Sequence, residues 1–208
     1  MTRLEKCDLP VILLAAGQSR RMRGADKLLE EIDGVPLLRR QAEAACAATC
    51  GPVLVALPPP PHPRYQCLDA LAVNRVPVTE ADEGMNASLR TAFAALTDNP
   101  AAAMLLLADL PELTAQDLSS VFQAVDLRSE TLIWRGATKD GKPGHPIVFA
   151  SALFPAFAAL KGDGGGREVV ADADGHVALV PLPGDRARRD LDTPEDWAAW
   201  RAEQADEQ

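Results

Sequence analysis

Short apolar runs alternate with helix-patterned segments, and this alternation restricts the fold more than any other feature of the sequence. Apolar runs between turn residues predict strands, and apolar residues at helical spacing, such as Met85, Leu89 and Phe93, predict a helix with one buried face. Strands that alternate with helices build an α/β fold with a mostly parallel sheet. The predicted strands are 11–16, 53–57, 73–78, 103–108, 131–134, 146–149 and 177–182, and the predicted helices are 36–48, 85–96, 115–125, 153–160 and 194–204.

Length and charge exclude several classes of function. With 208 residues, the chain is expected to form one domain, 1–208. A net charge of −9 disfavours nucleic-acid binding, which requires a basic face, and no apolar run approaches the ~18 residues needed to cross a membrane. The four cysteines contain no CxxC pair, and no histidine near Cys46 and Cys50 completes a metal site. A cytoplasmic protein with reduced thiols and neither nucleic-acid nor membrane partners is expected.

A basic cluster follows the first apolar run, although the protein as a whole is acidic. Arg20, Arg21, Arg23 and Lys27 lie just after Gly17, at the end of a predicted strand. Ligands of parallel sheets bind beyond the carboxyl ends of strands, and a glycine-led turn exposes backbone N–H groups to phosphate oxygens. The stretch matches neither the GxxxxGK[ST] nor the GxGxxG phosphate motif. It is therefore either a phosphate-binding loop or a solvated basic turn.

Two acidic segments also follow predicted strands. Asp109 comes directly after an apolar run, where a carboxylate binds a ligand or serves as a turn or cap residue. Asp190 and Asp192 are two positions apart, so on an extended backbone both face the same side and suit a hard cation. The alternative for the second pair is that Asp192 or Thr193 caps the helix that begins at Pro194.

Two further polar residues have both a functional and a structural interpretation. Ser88 lies at the start of a predicted helix, where it either contacts a ligand or, like Asn86, caps the helix. His145 lies between Gly144 and Pro146 at the start of a predicted strand, and by itself it is better explained as a structural turn residue than as a catalytic one.

Seven motifs occur in a fixed order along the chain: LAAGQSRRMRGADKLL (14–29), GVPL (34–37), GMNASL (84–89), DLP (109–111), GHP (144–146), GDGGGR (162–167) and DLDTPEDW (190–197). Taken together and in this order, they resemble the molybdenum-cofactor-type NTP transferases. The family commonly has glycine where this chain has Arg23. The resemblance implies a three-layer α/β/α fold of the Rossmann-like, glycosyltransferase-A-like kind, and it implies transfer of a nucleoside monophosphate from an NTP to a phosphorylated acceptor.

The resemblance also implies a role for each matching residue. It assigns nucleotide binding to Leu14, Ala15, Ala16, Gly17, Arg21, Lys27 and Ser88. It assigns catalysis to Arg21, Lys27 and Asp109, and a Mg²⁺ site to Asp109 and Asp192, with Asp190 in support. The GHP and GDGGGR segments resemble the branch that uses CTP and molybdopterin, which makes His145, Asp163 and Arg167 acceptor-binding. The NTP-binding half is then about 8–112 and the acceptor-binding half about 113–200.

The expected reaction is therefore transfer of CMP from CTP to molybdopterin with release of pyrophosphate. A molybdoenzyme chaperone or a target apoenzyme is a candidate partner for the product. The alternatives within the class are GTP as donor, or a sugar or polyol phosphate as acceptor. An NAD-dependent oxidoreductase is disfavoured by the missing GxGxxG motif, and a non-catalytic nucleotide-binding module is the remaining alternative.

Overall fold

The computed structural model describes residues 7–206, which form a seven-stranded sheet in the order β5-β4-β1-β6-β8-β7-β9 and a separate two-stranded hairpin, β2-β3. The strands are β1 (Val11–Leu14), β2 (Glu31–Ile32), β3 (Val35–Pro36), β4 (Val53–Leu57), β5 (Asn74–Pro77), β6 (Ala102–Leu107), β7 (Ile133–Ala137), β8 (Pro143–Ala150) and β9 (Val177–Pro181). The helices are α1 (Leu37–Ala48), α2 (Met85–Ala94), α3 (Ala115–Gln123), α4 (Phe154–Ala158), α5 (Arg167–Asp172) and α6 (Pro194–Asp206).

The sheet is mostly parallel, as the alternation predicts. Strands β5, β4, β1 and β6 are parallel to one another, β8 is antiparallel to both its neighbours, and β9 pairs in parallel with β7. Every predicted strand and helix is present. The hairpin β2-β3 and the helix α5 were not predicted, since the strands of the hairpin have two residues each and α5 is a short helix of six residues.

Helices cover both faces of the sheet, which gives the expected three layers. Alternate residues of β1 belong to different cores: Val11 and Leu13 pack with α1, α3 and α6, whereas Ile12 and Leu14 pack with α2, α4 and α5. In the second core the rings of Phe93 and Phe157 stack with their centroids 3.7 Å apart. A strand buried on both faces reads as a continuous apolar run, which is why β1 shows no polar alternation.

The topology creates a crevice at the carboxyl end of β1. The chain runs from β1 to β4 on one side and later returns as β6 on the other side of β1. At such a reversal of strand order, the loops after the two neighbouring strands separate and leave room for a ligand. Among residues 7–206, no helix is long and apolar enough to cross a membrane.

Candidate active site

A cleft of about 550 Å³ opens at this crevice, and most of the predicted site residues line it. It lies between the loop that follows β1, the start of α2, Asp109 after β6 and Asp192 before α6. The predicted residues that line it are Leu14, Ala15, Ala16, Gly17, Arg21, Lys27, Ser88, Asp109, Asp163 and Asp192. His145 and Arg167 are not among its lining residues in the part of the chain that the structure describes.

Lys27 joins the two acids that the sequence analysis assigns to a metal. Its Nζ donates to Asp109 Oδ2 at 2.5 Å and to Asp192 Oδ1 at 2.6 Å. Arg21 completes the cluster with a 2.6 Å ion pair from Nη2 to Asp192 Oδ2. The three inner side chains are largely buried, whereas 69% of the Arg21 side chain is exposed. Residues 165 positions apart in the sequence therefore meet at one point.

The charges in this cluster reinforce one another. Burial alone would lower the pKa of Lys27, but the charge of Asp109 and the hydrogen bonds to both acids raise it overall. Burial would likewise raise the pKa of Asp192, and the hydrogen bond and charge of Lys27, aided by Arg21, bring it below its usual value. Lys27 and Asp192 are therefore both charged at neutral pH.

The acids have the composition of a divalent-cation site. One carboxylate oxygen from each of Asp109, Asp190 and Asp192 lies within 4.8 Å of the other two. Asp109 Oδ1 is buried and has no hydrogen-bond partner among the described residues, so its lone pairs are available to a ligand. Carboxylate oxygens are the ligands that hard cations prefer. Burial and the charge of Asp192 raise the pKa of Asp190. The residues fit such a cation.

The capping alternative for Asp192 is resolved by the residues that follow it. The side chain of Asp196 accepts from the backbone N–H groups of Asp192 and Thr193, and the Thr193 hydroxyl accepts from Asp196 N at 3.1 Å. Thr193 and Asp196 thus form a reciprocal cap at the start of α6. The Asp192 carboxylate is left free to face Lys27 and Arg21.

A buried arginine that the sequence analysis did not identify holds the loop after β1. Arg64, 1% exposed, donates from Nε and Nη2 to the two carboxylate oxygens of Asp26, each at 2.7 Å. Its Nη1 also donates to the carbonyl of Ala15 at 2.6 Å, and Nη2 contacts the Ser19 hydroxyl at 3.1 Å. Arg64 therefore fixes both ends of the segment from Ala15 to Lys27. The available signal was a lone arginine in the connector PPPPHPR after β4.

Two positions in this loop explain its glycine pattern. A Cβ added to Gly17 would meet no atom within 4 Å, so glycine there leaves the backbone open to the cleft. Arg23 has φ = +53°, a left-handed conformation that favours glycine, and it pairs at the surface with Glu195 at 2.7 Å. The departure from the usual glycine therefore keeps the backbone shape of the loop. Arg20 is exposed and contacts only Gln18 among the described residues.

The loop 161–166, rather than a side-chain cap of its own, holds the start of α2. Asp163 Oδ1 accepts from the backbone N–H of Met85 at 2.6 Å. A Cβ at Gly84 would lie 2.7 Å from that oxygen, so only glycine allows this approach. Asn86 is fully buried and bonds to the loop at Lys161 O and Gly166 N.

The capping alternative for Ser88 is therefore not what the structure shows. Its side chain lies in the cleft wall. Arg167 begins α5 with an exposed side chain.

His145 is not part of the cleft wall, although the charge of Asp109 acts on its ring. Burial, together with the charge of Arg135, lowers its pKa to about 4, while the charge of Asp109 acts in the opposite direction. The ring is therefore neutral at pH 7. Its Nδ1 is buried without a hydrogen-bond partner among the described residues. The predicted acceptor residues thus form two groups. His145 is near Asp109, whereas Asp163 belongs to the loop that binds the start of α2 and Arg167 directly follows that loop.

Comparison with known proteins gives one family. A family model described as a MobA-like NTP transferase domain matches residues 11–177. A protein of Synechococcus elongatus named probable molybdenum cofactor guanylyltransferase is 34% identical over 198 residues, which covers 90% of this chain and 95% of that protein.

Solved structures share the fold. Rv0371c from Mycobacterium tuberculosis H37Rv is 25% identical with a TM-score of 0.79, and the match covers 93% of this chain and 97% of that one. The manganese complex of Rv0371c is 23% identical with a TM-score of 0.75, covering 92% and 97% of the two chains.

Proposed function

This nucleotidyltransferase belongs to the MobA-like NTP transferase family, and we propose that it transfers CMP from CTP to molybdopterin with release of pyrophosphate. One observation carries the proposal: Lys27 bridges Asp109 and Asp192 at the mouth of a glycine-led loop. A basic loop beside a cluster of carboxylates matches a triphosphate bound together with a divalent cation.

In the proposed complex, the triphosphate lies along the loop from Gly17 to Lys27. Arg21 and Lys27 neutralise its charge, since both already occupy the cleft wall. Leu14, Ala15, Ala16 and Ser88 line the same cleft and are proposed to contact the nucleoside. The proposed division into an NTP-binding half, about 8–112, and an acceptor-binding half, about 113–200, follows the same arrangement.

The reaction requires positioning more than a protein nucleophile. A phosphate oxygen of the acceptor attacks the α-phosphorus, the new P–O bond forms, and the bond to the β-phosphate oxygen breaks so that pyrophosphate leaves. Lys27 and Arg21 stabilise the negative charge that develops on the phosphate oxygens. A divalent cation, proposed as Mg²⁺ and held by Asp109 and Asp192 with Asp190 alongside, supplies further charge neutralisation when bound.

CTP is the proposed donor because the first strand ends in the Leu14-Ala-Ala-Gly17 form that resembles the cytidine-using branch. A specific observation makes GTP the second candidate: the Synechococcus relatives are named guanylyltransferase. Molybdopterin as acceptor rests on those names and on the GHP and GDGGGR segments.

Pyrophosphate release with each of the four NTPs, molybdopterin and Mg²⁺ tests the proposal. The expected result is release with CTP that requires the acceptor. Release with GTP alone would replace the donor, and release with a sugar phosphate but not with molybdopterin would replace the acceptor. No release with any donor and acceptor would contradict the proposed function.

The bridging position of Lys27 leads to a separate prediction about metal affinity. Lys27 and a cation are attracted by the same two carboxylates, so Lys27→Met is expected to tighten Mn²⁺ binding without nucleotide. Two unit charges about 4 Å apart interact by about 4 kcal/mol at an effective dielectric of 20. Because removal of the Lys27 charge removes a repulsion of this order from the bound cation, Mn²⁺ binding is expected to tighten about tenfold or more. Free Mn²⁺ can be followed by electron paramagnetic resonance during titration.

Arg128→Met is the matched control, because 93% of the Arg128 side chain is exposed and it pairs only with its neighbour Asp126 among the described residues. The control is expected to bind Mn²⁺ like the wild type, and Asp109→Asn is expected to bind it more weakly. Equal or weaker Mn²⁺ binding by Lys27→Met would contradict competition between Lys27 and the cation.

A further inference from the structure

Two arginines beside the acids are anchored to neighbouring backbone carbonyls. Arg135 Nε donates to Gly144 O at 3.1 Å, and Arg188 Nη1 donates to Pro143 O at 2.9 Å. Because Pro143 and Gly144 are consecutive, the two guanidinium groups are held on the same short segment of β8. Neither forms an ion pair with a carboxylate among residues 7–206.

Neighbouring arginines behave differently. Arg186 pairs with Asp117, and Arg189 pairs with Glu112 and Glu203. Arg135 and Arg188 thus lack a carboxylate partner among the described residues, although the arginines on either side of Arg188 have one.

The backbone around the pair is closely packed. A Cβ at Gly144 would lie 2.1 Å from the carbonyl oxygen of Ala187, so only glycine fits there. His145 N donates to that same carbonyl at 2.7 Å. These contacts fix the segment that carries Arg188 against the strand that anchors Arg135.

The two cations are close enough to influence each other and the neighbouring ring. Burial lowers the pKa of Arg135, and the charge of Arg188 lowers it further. The charge of Arg135 in turn lowers the pKa of His145. Two like charges held this close, one of them half-buried, favour binding of an anion that neutralises both.

The pair is continuous with the acid cluster. Arg188 O accepts from the backbone N–H of Asp190, and Asp109 O accepts from Leu191 N at 3.3 Å. One turn of chain therefore connects Arg188 to the acids.

We propose that Arg135 and Arg188 form a binding site for the phosphate of a phosphomonoester, the acceptor of the transfer reaction. The proposal deepens the proposed function and rests on it for the identity of the ligand. Planar guanidinium groups match phosphate oxygens in pairs, and loss of such a charged hydrogen bond typically lowers the affinity by about 10- to 150-fold. The site places the attacking phosphate beside Asp109.

Inorganic phosphate is the probe, followed in ¹H–¹⁵N correlation spectra of the full chain. Phosphate is expected to shift the amides of Gly144, His145 and Ala187, as well as those of the loop from Gly17 to Ser19. In the Arg135→Met/Arg188→Met variant, the phosphate affinity measured from the first group of amides is expected to fall at least tenfold. The shifts of the loop amides are expected to persist, which also shows that the variant is folded. The phosphate affinity of Arg135→Lys is expected to lie between that of the wild type and that of the double variant.

Arg128→Met is the matched control, since Arg128 is exposed at 93% and remote from the site. It is expected to bind phosphate like the wild type. Unchanged shifts at Gly144 and His145 in the double variant, or no shifts there in the wild type, would overturn the proposal.

The steady-state constants distinguish this proposal from the proposed function. In each single variant, the KM for the acceptor is expected to rise about tenfold or more, while the KM for the NTP changes less than twofold. If the wild type binds phosphate but has no transferase activity, and the double variant loses that binding, the anion site is supported and only the proposed function is rejected. A raised KM for the NTP alone would reject the anion site.

Discussion

Lys27→Met is expected to reduce kcat by about a hundredfold or more. The ammonium group is buried against Asp109 and Asp192 at the bottom of the cleft, where a triphosphate brings negative charge. Removal of one preorganised charge contact to a transition state typically costs 10²- to 10³-fold in turnover. Pyrophosphate release under saturating substrates measures the effect.

Two variants define what the loss means. Lys27→Arg keeps the charge and is expected to retain more turnover than Lys27→Met, because a guanidinium in this position still faces both acids. Arg128→Met removes an exposed surface cation and is expected to turn over normally. Full turnover in Lys27→Met would show that Lys27 does not contact the reacting phosphates.

Arg64→Met is expected to lower the free energy of unfolding by about 3–5 kcal/mol. Removal of one partner from a buried ion pair leaves an uncompensated charge, here on Asp26, and costs this much in typical cases. The carbonyl of Ala15 and the hydroxyl of Ser19 lose a donor as well. Urea unfolding at pH 7 measures the change.

The pH dependence of the same variant checks the cause. Burial would raise the pKa of Asp26, but hydrogen bonds and charge from Arg64 hold it below its usual value. Stability from a lowered carboxyl pKa is present above about pH 4 and is lost as the pH falls through the folded value. The gap between wild type and Arg64→Met is therefore expected to narrow on going from pH 7 to about pH 3.

Arg40→Met is the comparison for this series, since Arg40 pairs with the exposed Asp33. Surface substitutions of this kind usually change stability by less than about 0.5 kcal/mol. An equal loss in Arg40→Met and Arg64→Met, or a gap that does not narrow with pH, would show that the Arg64–Asp26 pair does not hold the loop.

The sequence was sufficient for the fold because local patterns and global topology agree. Buried strands such as β1 are continuous apolar runs, and Leu89 and Phe93 mark the inner face of α2. Met85, which the same spacing predicts to be buried, is 40% exposed because it lies at the first turn of α2, at the cleft. The hairpin β2-β3 has two-residue strands, too short for any period to show. Its turn, Asp33-Gly34 with φ of +53° and +74°, was the only signal of the hairpin.

The sequence was less informative about contacts between distant segments. The motifs that carry Lys27, Asp109 and Asp192 predict one site, but their ion pairs join positions up to 165 residues apart. Arg64 and Arg135 belong to no motif, and their roles depend on what folding places beside them. Asp163 lies in a predicted acceptor loop, yet one of its oxygens binds the backbone of α2.

Transfer of label from the α-phosphate tests the central claim most directly. Wild type is incubated with α-³²P-labelled CTP or GTP, molybdopterin and Mg²⁺, and the products are separated. Label is expected in a nucleotide-linked acceptor with an equal amount of unlabelled pyrophosphate, and about a hundredfold less is expected with Asp109→Asn. Label that remains in free nucleotide, or equal transfer by Asp109→Asn, would contradict nucleotidyl transfer at this cluster.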